Sequence, residues 1–279
     1  MNDLPGPLEP TTTTTIGDLY AETFVPTGTP RGTVLVTHGY AEHCGRYREV
    51  AHVLVTAGWA VMTYDVRGHG HSPGPRGFIE KFEIYLRDLD MMIAAARKLA
   101  PAAAPFVLLG HSHGSLITLR ALAGATPPHV TAAIVSSPYL ALQMKVPSYL
   151  RVLAKVASRV APKLRQPNNI KAEQLTHDKQ MQAIHDADPL NFSTATTRWF
   201  TESTAAQQYV ASHADRIDVP TTWLVGAADP LTDPSQSKRV ADKVTGATYH
   251  DLTGLLHEVF NEVERGKVFA LLVKSLPST

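Results

Sequence analysis

The sequence predicts an α/β fold: a mostly parallel central sheet with helices on both faces and an inserted helical cap. Six short apolar segments, each bounded by turn residues, alternate with stretches long enough for helices, which is the pattern of such a sheet. Residues 138–218 interrupt this alternation with helix-like pieces and prolines but no convincing strand. Residues 105–124 read as a strand that runs through GHSHG directly into a helix.

In chain order, residues 1–15, with three prolines and a run of threonines, are predicted to be a flexible lead-in because they have little to bury. Residues 16–29 are expected to form a starting hairpin. We assign residues 16–137 and 219–279 to the core and residues 138–218 to the cap. The predicted strands are residues 33–37, 60–64, 106–109, 132–135, 222–225 and 248–252, and the predicted helices are residues 47–57, 82–99, 115–123 and 257–276.

Composition excludes several classes of protein. A chain of 279 residues with 44% hydrophobic and 18% charged residues is typical of a soluble globular protein. A net charge of +1 argues against a nucleic-acid partner. The single cysteine, Cys44, excludes an internal disulfide, and neither a membrane span nor a signal peptide is visible. We therefore expect a cytoplasmic protein.

Ser112 is the candidate nucleophile. A serine in GxSxG between a strand and a helix sits on a strained turn that exposes its hydroxyl. A second copy of the pattern, GHSPG around Ser72, lacks a strand before it and a helix after it. The residue after the nucleophile must offer a backbone N–H to the oxyanion, and Pro73 has none. We interpret Ser72 as a turn residue.

A serine nucleophile needs an imidazole to take its proton and a carboxylate to orient the imidazole. In a sheet of this kind the acid and the histidine follow the serine, at later strand ends. Asp229 comes just after predicted strand 222–225, and His257 follows predicted strand 248–252. Asp233 lies further along the same loop and could instead cap the next helix, while His250 lies inside a strand, where packing is its more usual role.

Two backbone amides are expected to hold the oxyanion. The first is the N–H of His113, and the second comes from the loop after strand 33–37. There Gly39 allows a close approach, and Tyr40 N–H is our candidate. An ordinary strand-to-loop turn is the alternative interpretation of His38 and Gly39.

One segment of the cap is strongly basic. Residues 143–172 carry Lys145, Arg151, Lys155, Arg159, Lys163, Arg165 and Lys171 and no acidic residue. Leu150, Leu153, Val156 and Val160 repeat at helical spacing. This pattern is compatible with a helix that contacts a membrane surface. We favour a helix with its apolar face on the core and a solvated basic face, since charge runs are usually solvated.

The motifs together resemble the monoacylglycerol lipase and lysophospholipase branch of the α/β-hydrolase superfamily. They occur in the family's order and are HGYAEHCGRY, YDVRGHGHSPG, GHSHG, SSPYL, DPL, GAADPLTD and the final His257-Glu258. The resemblance implies Ser112, Asp229 and His257 as the catalytic triad, Tyr40 and His113 as oxyanion donors, and residues 138–218 as a lid over an acyl-binding pocket. It also implies that Asp65, Arg67, Glu42 and His43 brace loops and are not catalysts.

The chain departs from this family's usual pattern at the nucleophile. The family usually has Met after the serine and Gly-Gly at the end of the turn, where this chain has His113, Gly114 and Ser115. The backbone N–H of His113 remains, and Ser115 is small, so we expect the turn to form. We hypothesise that the His113 imidazole alters the pH profile. Cys44 replaces a common serine and is expected to be a buried thiol.

The predicted activity is hydrolysis of carboxylic esters through an acyl-enzyme, on monoacylglycerols or similar lipid monoesters and, as the alternative, on lysophospholipids. No cofactor is predicted. The pairs His69/His71 and His111/His113 lack the acidic cluster or CxxC that would favour a metal site. A dehalogenase or epoxide hydrolase would carry a carboxylate at Ser112, and an aminopeptidase would want an acidic cap. A ligand receptor and a cofactor-free perhydrolase or haloperoxidase remain as functional alternatives.

Overall fold

A computed structural model describes residues 4–144 and 147–278. Within these residues, eight strands form the main sheet: β1 (Thr12–Ile16), β2 (Leu19–Phe24), β3 (Thr33–Thr37), β4 (Ala60–Tyr64), β5 (Phe106–His111), β6 (Ala132–Ser136), β9 (Thr221–Gly226) and β10 (Ala247–Leu252). Their order across the sheet is β1-β2-β4-β3-β5-β6-β9-β10. The last six in this order are parallel, and β2 is antiparallel to both of its neighbours. The mostly parallel sheet predicted from the sequence is confirmed.

Helices cover both faces of this sheet. In β3, Val34 and Val36 join the apolar cluster on one face and Leu35 joins the cluster on the other, because successive side chains alternate across a strand. On the first face lie α1 (Arg48–Thr56) and α9 (Arg265–Lys274). On the second lie α2 (Glu83–Ala96), α3 (His113–Leu122) and α8 (Pro234–Ala241). A short 3₁₀ helix, Arg97–Leu99, continues α2.

The structure differs from the predictions at both ends of the sequence. Residues 12–15, assigned to the flexible lead-in, belong to β1 and pair with β2, because threonine is β-branched and suited to strands. The lead-in also contacts the core, where the Leu8 amide donates to the Arg48 carbonyl at 3.2 Å. The final helix was predicted from residue 257 but α9 begins at Arg265, since Val259 and Phe260 turn inward in a short 3₁₀ helix and are buried.

Residues 138–218, between β6 and β9, form an insert outside the main sheet. Its described residues form four α-helices, a short 3₁₀ helix (Ala214–Arg216) and, contrary to the prediction that the insert has no strand, a small antiparallel sheet. The elements are α4 (Ser148–Val160), β7 (Arg165–Pro167), α5 (Ala172–Leu175), α6 (Lys179–Ala187), β8 (Thr194–Thr196) and α7 (Thr197–His213). The small strands escaped notice because each spans only three residues.

The insert lies over the carboxyl ends of the parallel strands and is tied to loops of the core. The Phe192 amide donates to the Ala41 carbonyl at 3.1 Å, and the Thr196 amide donates to the Gly77 carbonyl at 3.0 Å. On the other side, the Glu258 amide donates to the Leu175 carbonyl at 2.8 Å. These bonds hold the insert against the edge of the sheet where ligands of such folds bind.

Helix α4 contradicts the prediction that its apolar face packs on the core. Leu150, Leu153, Val156 and Val160 are 42%, 58%, 51% and 77% exposed. The helix contacts α7 through small residues instead, with Ser158 Oγ 2.8 Å from Thr201 Oγ1. Lys145, predicted to be part of the basic segment, lies outside the described residues, as does the side chain of Arg151. Each helix formed by the described residues is too short or too polar to span a lipid bilayer.

Candidate active site

Ser112 stands on the turn between β5 and α3 with a backbone φ of +50°. This region is unfavourable for a residue with a Cβ, and such strain marks many functional positions. Both flanking glycines are required by space. A Cβ on Gly110 would lie 2.7 Å from the Gly114 carbonyl oxygen, and one on Gly114 would lie 2.0 Å from the Thr37 carbonyl oxygen. Ser115 fits the turn as expected, because its Oγ donates to the Gly110 carbonyl at 2.7 Å.

His257 and Asp229 lie beside the serine, in the loops after β10 and β9. His257 Nε2 is 2.9 Å from Ser112 Oγ, and His257 Nδ1 is 2.6 Å from Asp229 Oδ2. All three residues are buried. Gly226, at the end of β9, lets the two loops meet, since a Cβ there would lie 2.0 Å from the Leu256 carbonyl oxygen. The three residues predicted from the sequence are therefore brought together.

The hydrogen bonds around Asp229 determine which ring nitrogen of His257 carries the proton. The Asp229 carboxylate accepts from Thr232 Oγ1 at 2.6 Å and from the amides of Leu231 and Thr232. Burial alone would raise the pKa of Asp229, but His257 and these donors outweigh it, so that the pKa lies below its ordinary value. An ionised carboxylate only accepts hydrogen bonds. His257 Nδ1 therefore donates to Asp229, and Nε2 is left to accept from the Ser112 hydroxyl.

Among the buried histidines around Ser112, His257 alone has a raised pKa in the described chain. Burial acts to lower the pKa of His257, but the Asp229 carboxylate and its hydrogen bond outweigh burial. The neighbouring rings lack such a partner. Burial lowers the pKa of His38, His69 and His111 to about 3. A catalytic base must gain and lose a proton near neutral pH. Among these buried histidines, only His257 is suited to do so.

The rival residues take structural roles. Asp233 is the N-cap of α8 and accepts from the Ser235 amide at 2.8 Å, as its position near the helix start suggested. His250 lies within β10. Ser72, in the duplicate motif, accepts from the Tyr20 amide at 3.0 Å and donates to the Asp65 carbonyl at 2.6 Å. Its hydroxyl is therefore fully used in holding a turn.

Two backbone amides beside Ser112 are placed to receive a negative oxygen. His113 is the first residue of α3, so its N–H has no acceptor inside the helix. Within the described residues, the Tyr40 amide donates to no protein acceptor. Gly39 allows this loop to approach, since a Cβ on it would lie 3.3 Å from Ser112 Cβ. The geometry thus agrees with the predicted pair of amides, whose role in catalysis remains a prediction.

A buried ion-pair bridge joins the loop after β3, which carries Tyr40, to the loop after β10, which carries His257. This bridge was not predicted from the sequence. Arg46 donates to both carboxylate oxygens of Glu258, at 2.8 and 2.7 Å, and to Glu42 at 3.1 Å. Glu42 in turn accepts from the Gly39 amide. All three side chains are at most 7% exposed. Glu42 was predicted to brace a loop. The ion pair of Arg46 with Glu258 could not be predicted, because the two residues are 212 positions apart and such a contact leaves no local signal in the sequence.

The side chain of His113 lies in an aromatic box and away from the proton path. Its ring makes edge contacts with Tyr85 at 5.1 Å and Phe82 at 5.9 Å, and lies 5.2 Å from Trp199 of the insert. Neither ring nitrogen has a hydrogen-bond partner in the described chain. Burial holds the pKa of His113 well below its ordinary value. This direction favours a neutral imidazole and argues against the hypothesis that His113 shapes the pH profile, which the His113→Met variant tests.

The remaining loop residues hold the frame of the site. Asp65 accepts from the amides of Cys44 and His71 at 2.8 and 2.6 Å. Arg67 pairs with Asp88 at 2.8 Å and also with Asp18. These contacts agree with the bracing role expected of Asp65 and Arg67.

His43 and Cys44 complete this frame. His43 Nε2 lies 2.7 Å from Asp188 of the insert, so it braces the insert against the core. Cys44 is buried, as expected, and burial raises the pKa of its thiol well above the ordinary value. Both observations favour an unreactive buried thiol over a nucleophile.

Ser112 lies where two cavities of different character meet. The first, of about 270 Å³, has a mixed lining with apolar side chains such as Ile170 and Phe192, and we call it the polar cavity because it carries the charged or polar side chains of Glu42, Arg46, His185, Asp186, Asp188 and Glu258. The apolar cavity, of about 500 Å³, is lined mainly by apolar side chains of the insert and of the loops below it, such as Tyr139, Leu142, Ile170, Trp199, Phe200 and Leu231. Ser112 and His257 line both. A substrate with one polar and one apolar part would place its junction at the serine.

The histidine pairs considered as metal ligands do not converge. His111 Nδ1 lies 3.0 Å from Ser136 Oγ, whereas the His113 ring is enclosed by aromatic side chains. His71 packs on Tyr20, whereas His69 packs on Tyr40 and Phe192. Among the described residues, no group of three or more metal-ligating side chains is assembled.

Comparison with known proteins gives consistent results. Residues 28–264 match the family described as serine aminopeptidase, S33. The chain is 33% identical over 258 residues to monoglyceride lipase of Rattus norvegicus, covering 88% of this chain and 84% of that protein. It is 30% identical to phospholipase YtpA of Bacillus subtilis, covering 86% and 93%.

Solved structures agree with these relatives. The crystal structure of a monoacylglycerol lipase from Paleococcus ferrophilus superposes with a TM-score of 0.82 at 31% identity, covering 92% of this chain and 97% of that one. Three findings agree: the geometry around Ser112, the family match over residues 28–264, and the relatives named above. The chain belongs to the serine aminopeptidase S33 family and is a monoacylglycerol lipase-like serine hydrolase with the α/β-hydrolase fold.

Proposed function

We propose that this protein hydrolyses carboxylic esters of the monoacylglycerol type through an acyl-enzyme. The observation that carries the proposal is the position of the Ser112 hydroxyl, which is hydrogen-bonded to His257 and lies at the junction of a polar and an apolar cavity. The apolar cavity suits a fatty acyl chain, and the polar cavity suits an alcohol. The relatives named as monoglyceride lipases support this assignment.

In the mechanism, Ser112 Oγ attacks the ester carbonyl while His257 Nε2 takes its proton. The Asp229 carboxylate stabilises the resulting imidazolium and keeps its orientation. The oxyanion is held by the amides of Tyr40 and His113, each of which is worth about 2.7–4 kcal/mol of transition-state stabilisation. His257 then protonates the leaving alcohol. A water molecule, activated by the same imidazole, releases the acid and restores Ser112.

The charge of the polar cavity favours a neutral alcohol. Four carboxylates face it, on Glu42, Asp186, Asp188 and Glu258. Its arginine, Arg46, is already engaged by two of them. A phosphate would meet net negative charge there, so glycerol is the better leaving group. Lysophospholipid hydrolysis, supported by the phospholipase relative, is the second candidate.

The family description also names aminopeptidases, which need a carboxylate to hold the substrate amine. An aminopeptidase would want acidic residues in the cap, and although the cap is basic at its start, Asp186 and Asp188 line the polar cavity. Asp188 is occupied by His43 at 2.7 Å, and Asp186 is 70% exposed. Neither is a free buried carboxylate, so we expect no peptidase activity.

The test is turnover of a panel that holds the acyl chain constant and varies the leaving group. We expect 1-monolauroylglycerol to be hydrolysed with multiple turnovers and Ser112→Ala to abolish this. Ser72→Ala is the matched control from the duplicate motif and should retain activity. Faster turnover of a lysophospholipid or an aminoacyl anilide than of the monoacylglycerol would contradict the proposal. Stoichiometric binding without turnover would favour a receptor, and peroxyacid formation from hydrogen peroxide would favour a perhydrolase.

We further propose that helix α4 contacts anionic lipid. Its apolar side chains face solvent, including Tyr149, Val152 and Val156 at 63%, 60% and 51% exposure. Lys155 and Arg159 on the same helix are also exposed. A helix with exposed apolar and basic side chains inserts at the boundary between headgroups and acyl chains. It would deliver a lipid monoester to the cavity, which Ala154 of α4 helps to line.

Vesicle co-sedimentation tests this contact. We expect binding to phosphatidylglycerol vesicles that weakens with salt, and a strong loss of binding in Val156→Glu. Val263→Glu, at a position that is 60% exposed on another part of the surface, is the matched control and should bind normally. Equal binding by the two variants would contradict the contact. The cytoplasmic location expected from the sequence stays a prediction.

A further inference from the structure

Besides the polar and apolar cavities at Ser112, a further cavity shares part of its lining with the apolar cavity and has no part in the mechanism above. We call it the second cavity. Its volume is about 320 Å³, and it lies between α7, α8 and the segment that follows β6. Four side chains line both cavities and thus form a shared wall, namely Tyr139, Leu142, Met144 and Phe200. We propose that this second cavity binds the methyl end of long acyl chains, so that the wall is a chain-length determinant. The inference rests on the proposed function.

The wall has one fixed and three adaptable members. The Tyr139 ring stacks on Trp199 with an interplanar angle of 4°, and the Tyr139 carbonyl accepts from Gln207 Nε2 at 3.1 Å. Met144 is 74% exposed, and its side chain adapts readily to different shapes. Leu142 and Phe200 are partly buried and carry no polar side-chain atom. Moving these three side chains therefore breaks no strong hydrogen bond, whereas Tyr139 stays in place.

The chemistry of the second cavity limits how far a chain can extend. Its lining is partly apolar, with Leu140, Ala141 and Ala211, and partly polar, with Gln207, Gln208, Asp233 and Gln236. Gln207 lies at the wall itself, where its Nε2 donates to the Tyr139 carbonyl. Methylene groups gain free energy only while they leave water for apolar surroundings. Each added methylene should therefore help until the chain end meets these amides and the carboxylate.

A homologous series of p-nitrophenyl esters measures this directly, from butyrate through caprylate, laurate and palmitate to stearate. A fully buried methylene contributes up to about fourfold to kcat/KM. The Ala211→Phe variant fills the second cavity from α7, and Ala211 does not line the apolar cavity among the described residues. We expect it to lower the ratio of kcat/KM for palmitate to that for caprylate by about fifteenfold, which corresponds to two excluded methylenes at about fourfold each.

The matched control is Ala205→Phe, on the same helix at an exposed position that lines neither cavity. It should leave the ratio unchanged. Phe200→Ala, which thins the wall, should raise the ratio and serves as a second test if Ala211→Phe does not fold. An unchanged ratio in both Ala211→Phe and Phe200→Ala would overturn the inference while leaving ester hydrolysis intact. A wild-type protein that turns over no member of the series would instead overturn the proposed function.

Discussion

The Asp229→Asn substitution tests the orientation of the catalytic base. The amides of Leu231 and Thr232 both donate to Asp229 Oδ1, at 2.8 and 3.0 Å. The oxygen of an asparagine would therefore take the Oδ1 position. Its NH₂ group would take the Oδ2 position and face His257 Nδ1, now at 2.6 Å from Oδ2. This arrangement forces the proton onto Nε2, so that the imidazole no longer accepts from Ser112.

We expect kcat/KM to fall by about 10⁴-fold, as for a triad with the wrong tautomer, which is a loss of about 5 kcal/mol of transition-state stabilisation. The pKa of His257 should fall as well, since the Asp229 carboxylate is what raises it against burial. The base must be neutral to act, so the acidic limb of the residual pH–rate profile should move to lower pH. Full activity in Asp229→Asn, or an acidic limb at unchanged pH, would refute this account.

Substitutions of Arg46, His113 and Gly226 test other contacts around the site. Arg46→Leu leaves the carboxylates of Glu42 and Glu258 buried without their partner and should cost about 3–5 kcal/mol of unfolding free energy, measured by urea denaturation, with a smaller loss in Arg46→Lys; equal stability of wild type and Arg46→Leu would contradict the bridge. His113→Met should leave the pH–rate curve unchanged, because burial already keeps that imidazole neutral, and a shifted limb would show otherwise. Gly226→Ala places a Cβ against the Leu256 carbonyl and should displace His257, lowering kcat/KM by about 10²-fold; normal kinetics would show that the loop tolerates the methyl group.

The catalytic positions were predictable because each depends on a local rule. A serine between an apolar strand and a helix, an acid after one strand and a histidine after the last strand share the carboxyl edge of a parallel sheet. Ser72 could be set aside on one residue alone, because Pro73 has no backbone N–H to offer the oxyanion. The six predicted strands lie within one or two residues of β3, β4, β5, β6, β9 and β10 for the same reason, since apolar segments bounded by turn residues are local signals.

The features that were missed depend on contacts between distant parts of the chain. The Arg46 bridge joins residues from opposite ends of the sequence, and Gly226 matters only because the His257 loop packs against it. In α4 the periodicity predicts an apolar face but not where that face points. There small residues contact α7 while the large apolar side chains remain outside. The threonine run in β1 was misjudged because composition suggested disorder where pairing with β2 decides the structure.

The most direct test of the central claim is covalent labelling of the nucleophile. A fluorophosphonate ester reacts with an activated serine, and peptide mass spectrometry identifies the modified residue. We predict stoichiometric modification of Ser112, loss of ester hydrolysis in proportion to labelling, and no labelling of Ser112→Ala, whereas Ser72→Ala is labelled like the wild type. Labelling at another residue, or undiminished labelling and turnover in Ser112→Ala, would contradict the account.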